Sequence, residues 1–325
     1  MKNIKNPKEP VKTIPQNESE MNFFKKAFKW YKERRAAKKE KQKQMTFQES
    51  VISWVKTIVG AFIIVMIING IAIASFVVPT GSMENTVMTG DFLFVNKFVY
   101  GPTTPQVIPF FNIPLPYYKF PGIKEPERGD VIVFVYPGDR DEVKAKEFQY
   151  YLKRCVAVAG DSMYLKDKKL YVNNQLVPLA EDGKYLIDHN NQPATFPFGK
   201  GFTFDNYGPI RIPKKGDVIP LNNSNFYEWN ILIQREGHQI EKNGDMITID
   251  GKSSNSYTIE RDYCFGLGDN RDNSLDSRAW GFIPVENVVG SPIIVYWSWD
   301  TNLPLADFFK KITTIRWSRI ANLID

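Results

Sequence analysis

The chain has 325 residues, 14% of them aromatic, with 21 prolines, a composition that suits a β-rich, loop-rich body and argues against a helical bundle. The first 50 residues hold 14 Lys/Arg against 6 Asp/Glu, a net +8, so the other 275 residues stand at −2 within the total of +6. The basicity is a tail property and gives no sign of the basic stripe on a folded domain expected for nucleic-acid binding; anionic lipid is the simpler partner.

Residues 1–20 are polar, with prolines and no periodicity, and read as disordered. From Met21 to Lys43 a basic helix is predicted, with Phe23, Phe24, Phe28, Trp30 and Tyr31 among lysines and arginines. Such a helix either lies on a cytoplasmic leaflet or is a solvated charged helix. Thr46-Phe-Gln-Glu49 has the capping-box pattern, in which Thr46 caps a helix and Glu49 reaches back to its N–H. A transmembrane helix is predicted over 50–78. Its apolar part, Ile58 to Val78, is broken only by Asn69 and Ser75 and can cross a hydrocarbon core of about 30 Å. The Lys/Arg excess before it puts the N-terminus in the cytoplasm and everything after Pro79 outside. A cleavable signal peptide is the rival reading, because Ala72-Ile-Ala74 resembles a cleavage site. Signal peptides, however, begin with a short charged region rather than fifty residues.

Beyond the span, Asp91–Phe98 is a strand candidate. Residues 101–126 hold seven prolines, with Phe110, Phe111, Tyr117, Tyr118 and Phe120 between them. They read as an irregular loop, either resting on the bilayer or packed as an Ω-type loop. Gly129–Val135 and Tyr151–Ala159 read as strands, and Met163–Val177 as a hairpin around Asn173-Asn174. Residues 179–262 are polar and turn-rich, with a strand near Phe226–Gln234 and a hairpin over Asp250-Gly251, and read as an inserted β subdomain. A strand at Ser291–Trp299 and an amphipathic helix near Leu305–Leu323, within 301–325, finish the chain. Cys155 and Cys264 form either one bridge or two buried apolar side chains, and no Cys/His cluster has metal-ligand spacing.

The chemistry begins at Ser75-Phe-Val-Val-Pro-Thr-Gly-Ser82. Pro79 stops any helix, Gly81 permits a tight bend, and Ser82 is presented just after it. A serine is a weak nucleophile without a base. His189 and His238 both sit in polar, loop-like stretches with nothing to suggest a Ser-His-Asp triad, and read as surface residues. The alternative is a lysine kept neutral by desolvation. Lys153 suits this better than any other lysine. On a strand it shares a face with Tyr151, Cys155, Ala157 and Ala159, apolar apart from its own amine and the phenol. A lysine snorkelling from a half-buried strand has the same pattern.

Pro79-Thr-Gly-Ser-Met83, Tyr151-Leu-Lys-Arg-Cys-Val-Ala-Val-Ala-Gly-Asp161 and Gly268-Asp-Asn-Arg-Asp-Asn-Ser-Leu-Asp-Ser-Arg-Ala-Trp-Gly281, in that order after a membrane span, closely resemble type I signal peptidase, a membrane-anchored Ser/Lys protease family. The matches run from the span to about Val295, leaving out the termini and about 179–262. The resemblance implies a mainly β fold, an antiparallel catalytic body over 79–178 and 263–300, behind a tail (1–49) and one transmembrane helix. It implies Ser82 as nucleophile and Lys153 as general base. Thr80, where many members carry Ser, would supply an oxyanion donor beside the Ser82 N–H, and Ser274 would orient the Lys153 amine. Asp276 and Arg278 would form a supporting ion pair, with Asp269 and Arg271 structural. Phe76, Val78, Met83, Tyr151 and Leu152 would line shallow pockets for an Ala-X-Ala pattern, with a substrate strand added near 76–80 and 151–153. The partners implied are signal peptides of secreted preproteins, membrane lipid and the export machinery, with no cofactor, no metal and no nucleic acid. A self-cleaving repressor-type Ser/Lys protein is disfavoured by the span, and a membrane-tethered β-rich scaffold by the presence of Ser82, Lys153 and Ser274 together. Cys155 replaces a plain aliphatic residue, and the Pro-rich stretch 101–126 is unusual.

Overall fold

The computed structural model describes residues 25–26, 28–35, 46–108, 113–185 and 193–324. The polar leader 1–20, Phe23, Phe24, Phe110, Phe111 and His189 lie outside these residues. The chain divides into two compact units, Met1–Ile64 and Val65–Asp325, with every strand in the second.

In the first unit, residues 28–35 of the predicted basic helix are helical and exposed. The capping box forms: the Thr46 N–H donates to Glu49 Oε2 at 2.9 Å and the Glu49 N–H to Thr46 Oγ1 at 3.4 Å. It opens a 25-residue apolar helix, Phe47–Ile71, about 37 Å long at 1.5 Å per residue.

That helix ends seven residues short of the predicted Val78. Gly70 lies against the chain at 103–105, where a Cβ would come within 3.0 Å of the Thr103 carbonyl and the Pro105 nitrogen. The Thr103 N–H donates to the Gly70 carbonyl at 3.3 Å. Of the next residues Ile73, Phe76, Val77 and Val78 are β-branched or aromatic and favour a pleated surface. Ala74 is buried and Phe76 half-buried, while Ile73 and Val77 face out. One apolar run thus serves as helix and then as strand.

In chain order, β1 (Ile73–Val77) and β2 (Asp91–Asn96) precede a short ladder of β3 (Val107–Ile108) and β4 (Ile113–Pro114) in the proline-rich loop. β5 (Val131–Val135) and β6 (Tyr150–Val158) follow. β7 (Ser162–Lys166), β8 (Lys169–Val172) and β9 (Gln175–Val177) form a meander, joined by β10 (Tyr207–Arg211). The predicted hairpin at 163–177 therefore has a second turn, at Asp167-Lys168. Both residues there have positive φ, as do Asn173-Asn174, the geometry of two-residue turns that match strand twist. β11 (Val218–Pro220) pairs with β15 (Ser256–Thr258), and β12 (Ile240–Asn243), β13 (Met246–Ile249) and β14 (Lys252–Ser253) make consecutive hairpins, the second over Asp250-Gly251 as expected. β16 (Tyr263–Leu267), β17 (Ile283–Pro284) and β18 (Val288–Ser298) complete the set.

The main sheet is antiparallel and runs β1-β2-β18-β5-β6-β16-β17. One apolar cluster under it joins Val78, Met83, Leu93, Val95, Val131, Val133 and Val295. A second joins Tyr100, Ile132, Phe134, Cys155, Cys264, Trp280 and Ile283. The largest cluster takes Phe196, Tyr207, Ile233 and Tyr257 from 179–262 and packs them with Val156, Phe265 and Phe282.

Two further elements differ from expectation. The stretch predicted as a strand near Phe226–Gln234 is a helix, Phe226–Arg235, which buries Phe226, Leu232 and Ile233. With Trp229 packed on the same core, the apolar positions follow a helical period that the aromatic and β-branched composition obscures. The C-terminal amphipathic helix is broken into 3-10 turns at Leu305–Asp307 and Trp317–Arg319 around a five-residue helix, Phe308–Ile312. Arg316 and Arg319 hold the segment instead. Arg319 makes a bidentate pair with the buried Asp91 (Nε to Oδ1 at 3.1 Å, Nη2 to Oδ2 at 2.7 Å), and Arg316 Nη2 donates to the Thr89 carbonyl at 2.6 Å.

Candidate active site

The nucleophile turn hangs between two anchors. On one side the Val78 N–H donates to the Asp91 carbonyl and the Gly90 N–H to the Val78 carbonyl, both at 2.9 Å, which ends the β1 edge. On the other, Met83 is 1% exposed within its apolar cluster, and its Sδ accepts the Asp269 N–H at 3.3 Å. Between them Pro79 and Thr80 are exposed and Ser82 is half-buried. The Ser82 N–H donates to no group among the described residues, while the Ser82 carbonyl accepts the Asn270 N–H at 3.1 Å.

Lys153 comes from the middle of β6, opposite Ile132 on β5. It is 4% exposed, and its Nζ lies 2.7 Å from Ser82 Oγ and 3.0 Å from the Leu152 carbonyl. Burial pushes its pKa down to about 8, partly opposed by the Asp276 and Asp269 carboxylates and reinforced by Arg278. An amine at that value is neutral in a usable fraction near pH 7–8, and then Ser82 Oγ–H can donate to it. Room for its stem is made across the sheet. The β16–β6 ladder slips between Phe265 and Gly266, and a Cβ on Gly266 would stand 3.0 Å from Lys153 Cβ.

Burial alone does not single out this lysine. Lys97 and Lys119 are also pushed down to about 8 by burial. Lys119 Nζ donates to the carbonyls of Val285, Glu286 and Val288 at 3.2, 3.1 and 2.7 Å, pinning the proline-rich loop to the body. Of these three, Lys153 alone is bonded to a serine hydroxyl among the described residues.

The wall behind the dyad is charged and buried. Arg278 grips Asp276 with Nε at 2.8 Å and Nη2 at 2.7 Å, both residues being at most 1% exposed. Burial opposes ionisation of Asp276, but Arg278 and the Gly268 N–H hold its carboxyl below the usual carboxylate range. Asp276 also caps the short helix Ser277–Trp280. Asp269 takes a bidentate pair from Arg154, at 2.9 and 2.8 Å, and a 2.7 Å hydrogen bond from Thr86 Oγ1. Arg271 is buried, its Nε has no partner, and burial lowers its pKa. Its carbonyl accepts from Arg278 Nη2 at 2.5 Å.

Ser274 is brought to the site, yet its hydroxyl makes no hydrogen bond among the described residues. It packs beside Gly268, where a Cβ would fall 2.2 Å from Ser274 Oγ and 2.5 Å from the Ser82 carbonyl oxygen. No side chain larger than hydrogen fits there. Of the expected pocket residues, Phe76, Val78, Met83 and Leu152 share one cluster, with Val78 and Met83 buried and the other two half-buried. Tyr151 belongs to the other cluster and stacks on Tyr136 (centroids 4.4 Å apart). β1 is a sheet edge, and β6 pairs with β16 only from Arg154 onward, so Tyr150–Lys153 are unpaired on that side.

His238 lies away from the dyad, with Nδ1 2.7 Å from Asp250 and Nε2 3.0 Å from Glu260, contacts that raise its pKa. Cys155 and Cys264 are free and buried. The thiol of Cys155 is pushed up by its hydrogen bond to Cys264 and by burial. Among the described residues no group of three or more His, Cys, Asp or Glu side chains is placed to hold a metal.

Sequence reading missed three contributors. Arg154, next to Lys153, is the ionic partner of Asp269. Asn270 bonds the nucleophile turn from inside the third box. Lys184 comes from the polar stretch 179–262, and its Nζ lies 2.9 Å from Glu84 Oε2. A buried-looking acid in a box with no named partner was a signal for Arg154; nothing local signals Lys184.

The family model described as signal peptidase, peptidase S26, matches residues 51–297. The chain is 31% identical over 291 residues to signal peptidase I of Helicobacter pylori, covering 86% of this chain and 96% of that protein. It is 30% identical over 271 residues to signal peptidase I of Pseudomonas aeruginosa, covering 78% and 76%. A solved signal peptidase I from Enterococcus faecalis is 21% identical, covers 52% of this chain and 98% of its own, and has a TM-score of 0.24, too low to bear on the fold. On the family match and these two relatives, the chain belongs to the signal peptidase S26 family of serine proteases.

Proposed function

We propose that the chain is a membrane-anchored endopeptidase that removes signal peptides from exported preproteins after Ala-X-Ala-type sites, with Ser82 as nucleophile and Lys153 as its base. The observation that carries this is the 2.7 Å separation of Lys153 Nζ and Ser82 Oγ, at a lysine held down to about 8 by burial. The neutral amine takes the Ser82 proton as Oγ attacks the scissile carbonyl, and returns it to the leaving amine. Water then hydrolyses the acyl-serine ester. The oxyanion is met by the unoccupied Ser82 N–H and by the hydroxyl of Thr80, donors that act on charge developing in the transition state. Ser274, buried beside Ser82, orients the amine.

The substrate strand adds to the β1 edge and to the unpaired side of Tyr150–Lys153. Phe76 and Leu152 then flank pockets floored by Val78 and Met83, shallow enough to favour alanine. The helix Phe47–Ile71 serves as the anchor. The basic residues before it keep the N-terminus in the cytoplasm and the catalytic body on the outer face.

The test is cleavage of a detergent-solubilised preprotein bearing an Ala-X-Ala site by wild type, Ser82→Ala and Lys153→Ala. Cutting at that site by wild type alone supports the reading. No cutting by folded wild type with lipid present, across several such substrates, overturns it in favour of a membrane-tethered scaffold.

A further inference from the structure

The peptide unit between Gly81 and Ser82 is planar, so its C=O and N–H point in opposite directions. Whatever holds the Gly81 carbonyl therefore aims the Ser82 N–H. That carbonyl accepts two hydrogen bonds, from the Asn270 side-chain amide, Nδ2, and from the Glu84 N–H, each at 3.1 Å. The Asn270 N–H also takes the next carbonyl, that of Ser82, at 3.1 Å. One buried residue, 1% exposed, thus bonds both carbonyls of the nucleophile turn, sharing the first with the Glu84 N–H. It leaves the N–H between them free.

The carboxamide of Asn270 is itself held. Nδ2 donates a second hydrogen bond to Glu84 Oε2 at 3.2 Å, so two acceptors settle which end of the amide carries the hydrogens. Glu84 Oε2 is in turn 2.9 Å from Lys184 Nζ. The backbone of Lys184 brackets Asn270: its N–H donates to the Asp269 carbonyl at 2.9 Å, and its carbonyl accepts the Arg271 N–H at 3.0 Å. This is a parallel bridge between Lys184 and Asn270, linking the polar middle of the chain to the third box.

We propose that Asn270 is a positioning residue for the oxyanion hole, aiming the Ser82 N–H through the Gly81 carbonyl, and that the Glu84–Lys184 ion pair locks it in place. The proposal rests on Ser82 acting as nucleophile. It gives the stretch around Lys184 a part in catalysis without contact to the substrate.

The experiment uses the full chain in detergent micelles and two probes: an Ala-X-Ala preprotein, and a 4-nitrophenyl ester whose burst of nitrophenol reports acylation of Ser82. The ester passes through the same oxyanion but needs no signal-peptide recognition. Asn270→Ala is expected to slow acylation by roughly 10–10² fold, somewhat less than outright loss of an oxyanion donor. KM and the apparent pKa of the pH profile should stay put, since Asn270 touches neither the proposed pockets nor Lys153. Lys184→Met, a partly exposed position, should lose several-fold in the same parameter, and Lys184→Arg should recover it. A merely structural role predicts another pattern: fewer titratable active sites, a lower melting temperature, and an unchanged rate per active site. That pattern, or wild-type acylation by both Asn270→Ala and Lys184→Met, overturns the proposal. If wild type acylates with the ester but cuts no preprotein, the substrate assignment fails and the ester series still decides the tether.

Discussion

Lys153 is buried and Lys119 half-buried in one domain, and burial pushes the pKa of both down to about 8. Their surroundings differ in one respect that decides their chemistry. Lys119 is spent on three backbone carbonyls, so its charged form is solvated by the protein and its proton has no route to a reacting atom. Lys153 has one carbonyl and one hydroxyl, and the hydroxyl belongs to a serine on an exposed turn. Desolvation lowers basicity wherever a lysine is buried; the partner determines whether that basicity is used.

The largest expected effect comes from removing either dyad member. Ser82→Ala and Lys153→Ala should each lower kcat by roughly 10⁴-fold or more, the scale seen when a nucleophile or base is removed from a unit that acts together. Lys153→Arg should fail equally, because guanidinium stays charged. By contrast Lys119→Met should leave kcat unchanged and cost about 1–3 kcal/mol of stability by stranding its carbonyls, read by denaturant unfolding. A loss of kcat in folded Lys119→Met would erase the distinction between the two sites.

Thr80→Ala should lose roughly 10²–10³ fold in kcat if its hydroxyl meets the oxyanion, with Thr80→Ser nearly silent. Full kcat in Thr80→Ala removes that role. Gly266→Ala should displace the lysine stem: its Cβ would press on Lys153 Cβ at 3.0 Å and on Ile283 Cδ1 at 3.1 Å, and misplacing a reacting group by about 1 Å costs up to 10² fold. An Ala variant at 266 with wild-type kcat would show that the stem has slack.

The smallest effect is on stability. A lysine whose folded pKa is about 8 and whose unfolded pKa is about 10.4 binds fewer protons folded than unfolded in that window. Stability therefore rises with pH between about 8 and 10.4, and below 8 the cost of charging the buried amine is fully present. Lys97 and Lys119 contribute with the same sign, so unfolding at varied pH reports all three lysines. Lys119→Met should remove part of this slope and leave the pH dependence of activity intact.

Much of the site was legible because it lies in three contiguous boxes. The alternation along 151–159 placed Lys153 correctly beside Tyr151 and Cys155, since a strand's period leaves no freedom once one face is buried. Pro79 and Gly81 marked the turn. What failed were features decided by distant contacts. The apolar run ending at Val78 changes from helix to strand after Ile71 because Gly70 meets Thr103 and Pro105, over thirty residues on in the chain. Phe226–Arg235 is helical because its apolar face meets the large core; its composition alone suited a strand. Lys184 and Arg154 look like ordinary surface charges until the fold sets Glu84 and Asp269 beside them.

The most direct test of the account is the pH dependence of kcat/KM for an Ala-X-Ala substrate, which reports the free enzyme's essential base. Activity should require neutral Lys153, rising with pH through one ionisation near 8 that is unmoved in Lys119→Met. A flat profile across that range, or a rising limb that shifts with Lys119 instead, would contradict the assignment of Lys153 as the base.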